Sequence, residues 1–242
     1  MFTFYEVGGK VRDELLGLKS KDVDYVAVPN NFLLQKGLTA EDMFEELIRH
    51  LLEAKFELFL ITKDCYTIRA RFPEDHMYSG VADFVMARKE IGYIEGTRTP
   101  IVVPGTLYDD LERRDFTVNA LAKDSKGKII DFFGGLEDLK NKILRTPLPC
   151  EETFNDDPLR ILRAIRFAIT KDFNIAEDLY WEMLDYDYSN KMKVVSNERI
   201  YEELKKMFEY DTLTSIDLLE TYHNLYTYIF YETNIKLKPV LC

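Results

Sequence analysis

The chain has 242 residues, of which 46% are hydrophobic and 31% charged, enough apolar material for one large domain or two small ones. No apolar run approaches the ~20 residues of a membrane-spanning helix, and the start MFTFYEVGG lacks a basic leader and a small-residue cleavage site, so a cytoplasmic compartment without membrane contact is expected. A net charge of −11 means that affinity for nucleic acid, if any, must come from local groups of lysine and arginine; Cys65, Cys150 and Cys242, far apart and without clustered histidines, argue against a disulfide framework or a zinc site.

In chain order, FTFYEVGG reads as a strand entering a glycine turn, VRDELLG as a short helix and VDYVAV as a second strand. Thr39 with Asp42 has the spacing of a capping box, opening an amphipathic helix that runs to about Ala54. FELFLI, YTIRARF and VADFVMA follow as strands. Residues 90–106, rich in Gly, Thr and Pro, are predicted to form a mobile loop over the sheet. LYDDLERRDFTVNALAKD is predicted helical, KIIDFFGG a strand ending at paired glycines, and LEDLKNKIL a short helix. After the turn at TPLP, segments 156–171, 176–186 and 197–209 carry helical spacing of apolar residues. The change of pattern near residue 145 sets the expected division, with a mixed unit over 1–145 and a helical unit over 146–242.

Asp22 and Asp24 stand two apart in a β-like run, so both side chains are expected on one face of a sheet. Carboxylates are favoured ligands for Mg²⁺, and two ions ~3.5–4 Å apart can activate a hydroxyl and stabilise a leaving pyrophosphate. Such a pair standing alone is most often a solvated strand edge. A third carboxylate nearby would strengthen the reading, and Asp83 in VADFVMA is the candidate; its alternative is an edge-strand surface residue. Gly8 and Gly9 offer a tight turn through which backbone N–H groups can approach a triphosphate at the start of the next helix.

The whole string GGKVRDELLGLKSKDVDYVA, which contains Gly8, Gly9, Arg12, Asp22 and Asp24, resembles the opening signature of the class II CCA-adding enzyme and bacterial poly(A) polymerase family. Four later segments agree in order. Arg113-Arg114-Asp115-Phe116-Thr117 with Asn119 is similar to the family's RRDFTxNA motif, and Asp131 with Gly135 in IIDFFGGLEDL resembles its hinge motif. Asp156-Asp157-Pro158-Leu159-Arg160 resembles the EDxxR-type template, and Ser196-Asn197-Glu198-Arg199-Ile200 the helix start that supports it. The resemblance spans roughly residues 5 to 210. It implies an α+β fold: a polymerase-β-like nucleotidyltransferase head, with a mixed sheet and flanking helices, followed by an all-helical neck. It also implies two Mg²⁺ ions on Asp22 and Asp24, CTP and ATP as nucleotides, and the 3′ end of tRNA or another RNA as acceptor. Arg12, Arg114, Asp115 and Asn119 are expected at the sugar and phosphates of the incoming nucleotide.

Asp157 and Arg160 are three apart, expected as neighbours on one helix face, where an acceptor beside a fork of donors can read the pairing edge of cytosine or adenine and disfavour uracil and guanine. Their bland alternative is an exposed ion pair. Arg163 and Arg166 continue the helix toward substrate phosphates or solvent, and Lys191, Lys193, Lys205 and Lys206 can extend a basic track.

Two departures from the family bear on substrate. Asp-Asp replaces the Glu-Asp of many bacterial members, and barely thirty residues follow the helix near Met207 where relatives continue into domains that grip tRNA. The departure in length leaves CCA, CC, a terminal A or a poly(A) tail as possible products, and assembly with another copy or a partner protein as a way to complete the grip. A phage, virus or organelle-derived origin would fit a short form. The contrasting reading is a silent RNA-binding module on the same fold, against which the retention of Asp22, Asp24, Arg114, Asp115, Asn119 and Arg160 together speaks.

Overall fold

The computed structural model describes residues 1–19, 23–35, 37–76, 78–93 and 100–237. Two compact units divide the chain, Met1–Leu136 and Glu137–Cys242.

The first unit is mixed α+β. Its elements are β1 (Phe2–Val7), α1 (Gly9–Leu15), β2 (Asp24–Pro29), α2 (Asn31–Gln35), α3 (Ala40–Glu53), β3 (Glu57–Thr62), β4 (Thr67–Arg71), β5 (Val81–Met86), β6 (Arg88–Tyr93), β7 (Pro100–Pro104), α4 (Leu107–Glu112), β8 (Leu121–Lys123) and β9 (Ile129–Asp131). Among the described residues, a seven-stranded sheet runs β3-β4-β5-β2-β1-β8-β9. β2 and β5 pair in parallel and their other neighbours are antiparallel, so the sheet is mixed. Alternation decides what each face does. Ala27, Ile68, Ala70, Ala82, Phe84 and Met86 point to the face covered by Met43, Phe44, Leu47 and Leu51 of α3, forming the larger core. α3 starts as its sequence demands: Thr39 accepts from Asp42 N–H, and the Asp42 carboxylate accepts from Thr39 N–H in return. On the opposite face, Val7 and Val26 pack with Leu107 and Leu111 of α4 in a smaller core.

Two stretches differ from expectation. The described part of 90–106 is a two-stranded sheet, β6 against β7, and residues 94–99 lie outside the described residues. The β-branched run Ile101-Val102-Val103 favours strand, and Gly105 admits the backbone of Arg88 where any Cβ would collide with it. The segment 107–124 is not one helix: α4 ends at Glu112, a single 3₁₀ turn covers Thr117–Asn119, and Leu121–Lys123 joins the sheet. The Asp115 carboxylate explains the break, because it takes the N–H of Phe116, an alternative to helical pairing that short polar side chains offer.

Beyond β9 the chain turns at Gly134, whose φ of 76° suits glycine. The Asp131 carboxylate gathers the N–H groups of Phe133, Gly135 and Leu136 at 3.1, 3.0 and 2.9 Å, opening α5 (Gly135–Asn141). A Cβ on Gly135 would lie 2.2 Å from the Thr117 carbonyl oxygen, far inside van der Waals contact. Gly135→Ala is therefore expected to cost about 1–3 kcal/mol, since backbone rather than a flexible side chain must give way. A urea midpoint that falls at unchanged slope would show it, and an unmoved midpoint would refute it.

The second unit holds β10 (Ile143–Leu144), α6 (Cys150–Asp156), α7 (Leu159–Lys171), β11 (Asn174–Ile175), α8 (Glu177–Asp185), α9 (Ser189–Met192), α10 (Asn197–Tyr210), α11 (Thr212–Thr221) and α12 (His223–Thr227). It is mostly but not wholly helical, because β10 and β11 pair in parallel. Ile143 and Leu144 thereby lie beside Asn174 and Ile175 within this unit. Ile161, Leu162 and Ile165 of α7 and Ile200, Leu204 and Met207 of α10 are all buried, which seats these two helices in the core of the unit. No described helix is long and apolar enough to cross a membrane.

Candidate active site

In the first unit three sequence-distant segments converge on the glycine turn. Gly8 caps α1 with a φ of 71°, a backbone conformation open to glycine and strained for other residues. A Cβ there would lie 2.8 Å from Arg114 Nη1 and 3.6 Å from Asp24 Oδ2. Gly8 thus leaves room for a cation and a carboxylate to approach one stretch of backbone. Gly9 borders the Arg12 guanidinium, 3.5 Å from where its Cβ would be. Arg12 is buried and donates to Asn119 Oδ1 at 2.5 Å and to Asp13 Oδ1 at 2.7 and 2.8 Å. Asn119 Nδ2 in turn donates to Asp115 Oδ1 at 2.9 Å. Arg12, Asn119 and Asp115 form one hydrogen-bonded chain of buried groups, which locks their rotamers.

Arg114 is held by a residue that sequence reading missed. Asp110, fully buried, accepts from Arg114 Nη2 at 3.0 Å and also pairs with Arg113. Burial alone would raise its carboxyl, but the two guanidinium groups outweigh burial and hold it below the usual carboxylate range. Its signal was in the sequence, because Asp110 stands three and four positions before the two arginines, the spacing of neighbours on a helix.

Asp24 opens β2 directly beside Asp83 of β5, its register partner in the parallel pair, so both point to the same sheet face. Arg69 of β4 donates two bonds to Asp83, both at 2.8 Å, in a fork that sequence reading also missed. Asp22 lies outside the described residues. Among the described residues no group of three or more His, Cys, Asp or Glu is arranged to hold a metal ion. Asp24 and Asp83 nonetheless offer hard oxygen donors from adjacent strands on one face, the chemistry that Mg²⁺ prefers.

In the second unit, Asp157 and Arg160 are not on one helix face. Asp157 has extended backbone and precedes Pro158, which disfavours the helical conformation in the residue before it; α7 begins only at Leu159. The Asp157 carboxylate instead accepts the Leu159 N–H at 3.1 Å and pairs with Arg199 at 2.8 Å. Arg160 donates to the Thr153 carbonyl at 3.3 Å. Arg163 and Arg166 both pair with buried Glu203 of α10, and the Arg166 guanidinium also lies against the Phe167 ring. These two arginines therefore tie α7 to α10. Glu203 is distant in sequence and carried no local signal.

The sequence model of the poly A polymerase head domain matches residues 4–145. The chain belongs to the poly A polymerase head-domain family. Several relatives locate this head-domain chain further. It is 37% identical over 206 residues to a multifunctional CCA protein of Nitrosomonas eutropha, covering 83% of this chain and 42% of that protein. It is 35% identical over 207 residues to a CCA-adding enzyme of Lactococcus lactis subsp. cremoris, covering 85% and 46%. Among solved structures, the Bacillus stearothermophilus CCA-adding enzyme in complex with CTP matches at a TM-score of 0.74 and 28% identity, covering 94% of this chain and 50% of that one. The Thermotoga maritima CCA-adding enzyme complexed with tRNA matches at 0.69 and 29%, covering 97% and 50%. The head-domain chain thus spans about half the length of the curated relatives it matches. The α+β fold with a polymerase-β-like head, expected from the motifs, is the fold of these neighbours.

Proposed function

We propose that the chain is a template-independent nucleotidyltransferase that completes CCA at the 3′ end of tRNA, using CTP and ATP and releasing pyrophosphate. The convergence of Asp24, Arg114 and the Gly8 turn carries the reading, and relatives named as CCA-adding enzymes support it. Asp24 with Asp83, and Asp22 ahead of them, would hold two Mg²⁺ ions. Bound there, the ions would acidify the RNA 3′-hydroxyl and neutralise the departing pyrophosphate. Gly8 and Gly9 would let backbone approach the triphosphate. Arg114, fixed by Asp110, would meet the phosphates, and the Arg12–Asn119–Asp115 chain would orient the sugar, so that the hydroxyl meets the α-phosphorus in line. Asp157 and Arg160 would select the base, while Arg163 and Arg166 would keep their helix in place.

The test supplies Mg²⁺ with each nucleoside triphosphate, alone and mixed, to tRNAs ending before CCA, after the first C and after CC, and sequences the ends. Addition that stops at CCA is expected, and no addition to any acceptor would overturn the reading. The head family's poly(A) polymerase name favours one second reading, a poly(A) polymerase, which would show as growth well past three nucleotides. In the same assay Arg160→Ala should relax discrimination of C and A over U and G by about tenfold, the worth of one lost base contact. Unchanged discrimination would remove Arg160 from base selection.

A further inference from the structure

The sheet face that carries Asp24 and Asp83 does not end at Asp83. Arg69 is the register partner of Asp83 on β4, Leu60 is the partner of Arg69 on β3, and Arg71 with Glu57 continue the same face one step along. The β3–β4 ladder slips between Leu58 and Leu60, leaving Phe59 as the extra residue of a bulge. The slip turns Phe59 onto this face, where the Arg71 guanidinium lies 4.9 Å from the centre of its ring. Phe59 is 45% exposed and the Arg71 side chain 55%, whereas Ile68 and Ala70 on the opposite face of β4 are fully buried. An open aromatic ring beside an exposed arginine, on the face that carries the carboxylates, offers an unpaired base a stacking surface with a cation next to it.

We propose that Phe59 and Arg71, at the open edge of the sheet face that carries Asp24 and Asp83, form a stacking platform for the single-stranded 3′ end of the RNA acceptor. The proposal rests on the nucleotidyltransferase reading for its direction, since the RNA must bring its 3′-hydroxyl to Asp24. Stacking on an aromatic ring suits this task because every base has a π-face, so one platform serves acceptors that end in different nucleotides. Arg71 can add a phosphate contact: its partner Glu57 is 60% exposed, and an ion pair open to water on both sides is easily exchanged for a phosphate. A protein with a net charge of −11 needs such local cations to hold RNA at all. Pairing of β3 with a second copy, the rival occupant, is disfavoured by the bulge, which interrupts the flat edge that strand addition requires.

The test measures binding of the whole chain, without nucleotide, to an RNA hairpin with a short single-stranded 3′ overhang and to the same hairpin made blunt. Phe59→Ala is expected to weaken overhang binding by roughly tenfold and blunt binding hardly at all. Phe59→Tyr should retain affinity and Phe59→Leu should lose it, which separates the ring from mere apolar bulk and covers the case in which alanine disturbs the fold. Arg71→Ala should lower the slope of log affinity against log salt by about one. Wild-type overhang affinity in Phe59→Leu, an equal loss on the blunt hairpin, or a variant that differs only in oligomeric mass would each overturn the platform. Overhang binding that depends on Phe59 in a chain that adds no nucleotide would keep the platform and remove the reaction. Nucleotide addition with overhang binding indifferent to Phe59 would do the reverse.

Discussion

Asp24→Ala is expected to slow nucleotide incorporation by roughly a hundred- to a thousandfold, the usual cost of removing one group that stabilises developing charge. Asp24 is the first residue of its strand and only partly buried, and the ladders to Val7 and Asp83 use its backbone rather than its carboxylate. Asp24→Asn, which keeps the shape and removes the charge, should be nearly as slow. Calorimetric titration with Mg²⁺ gives an independent readout, because both variants should lose heat of binding. A folded Asp24→Ala protein that incorporates nucleotide at the parent rate would remove this carboxylate from the reaction.

Asp110→Asn should lower stability strongly. It strips the counter-charge from Arg113 and Arg114 at a fully buried position, a loss of about 3 kcal/mol or more. The pH dependence follows from the direction of the shift. Asp110 is held below the usual carboxylate range in the folded chain, so its stabilisation is fully present above the ordinary value of about 3.9 and drains away as pH falls through the lower folded value. The gap in denaturation midpoint between parent and variant should therefore be wide at neutral pH and close in acid, below about pH 4. A gap that is the same at both would mean that the carboxylate's charge is not what stabilises the site. Because Arg114 loses its anchor, KM for the nucleotide should also rise in protein that remains folded.

What could be read from the chain beforehand was local chemistry. The Thr39–Asp42 cap, the alternation that makes β4 and β5 strands, and the Gly8 turn each depend on residues a few positions apart, and each stands in the structure as its spacing suggests. What escaped depends on partners elsewhere. Nothing near Asp83 announces Arg69 on the next strand, and nothing near Arg166 announces Glu203 on α10. Asp157 is a different case: the proline after it already disfavours the helical placement that three-residue spacing suggests. The segment after α4 escaped because the Asp115 side chain bonds the adjacent backbone and ends the helical pattern.

The order β3-β4-β5-β2-β1 also says something about how a growing chain comes to hold this site. β1 and β2 are neighbours in the chain and can pair as soon as both exist, but β5 must reach β2 after α2, α3, β3 and β4 have been made. The two carboxylates of the parallel pair therefore meet only when a long loop closes, the slow class of contact in folding. A nascent chain that stops short of β5 carries Asp24 without Asp83, and so without the second carboxylate of the pair. Assembly of the carboxylate pair is in this sense a late event of folding, tied to the same strand insertion that completes the centre of the sheet.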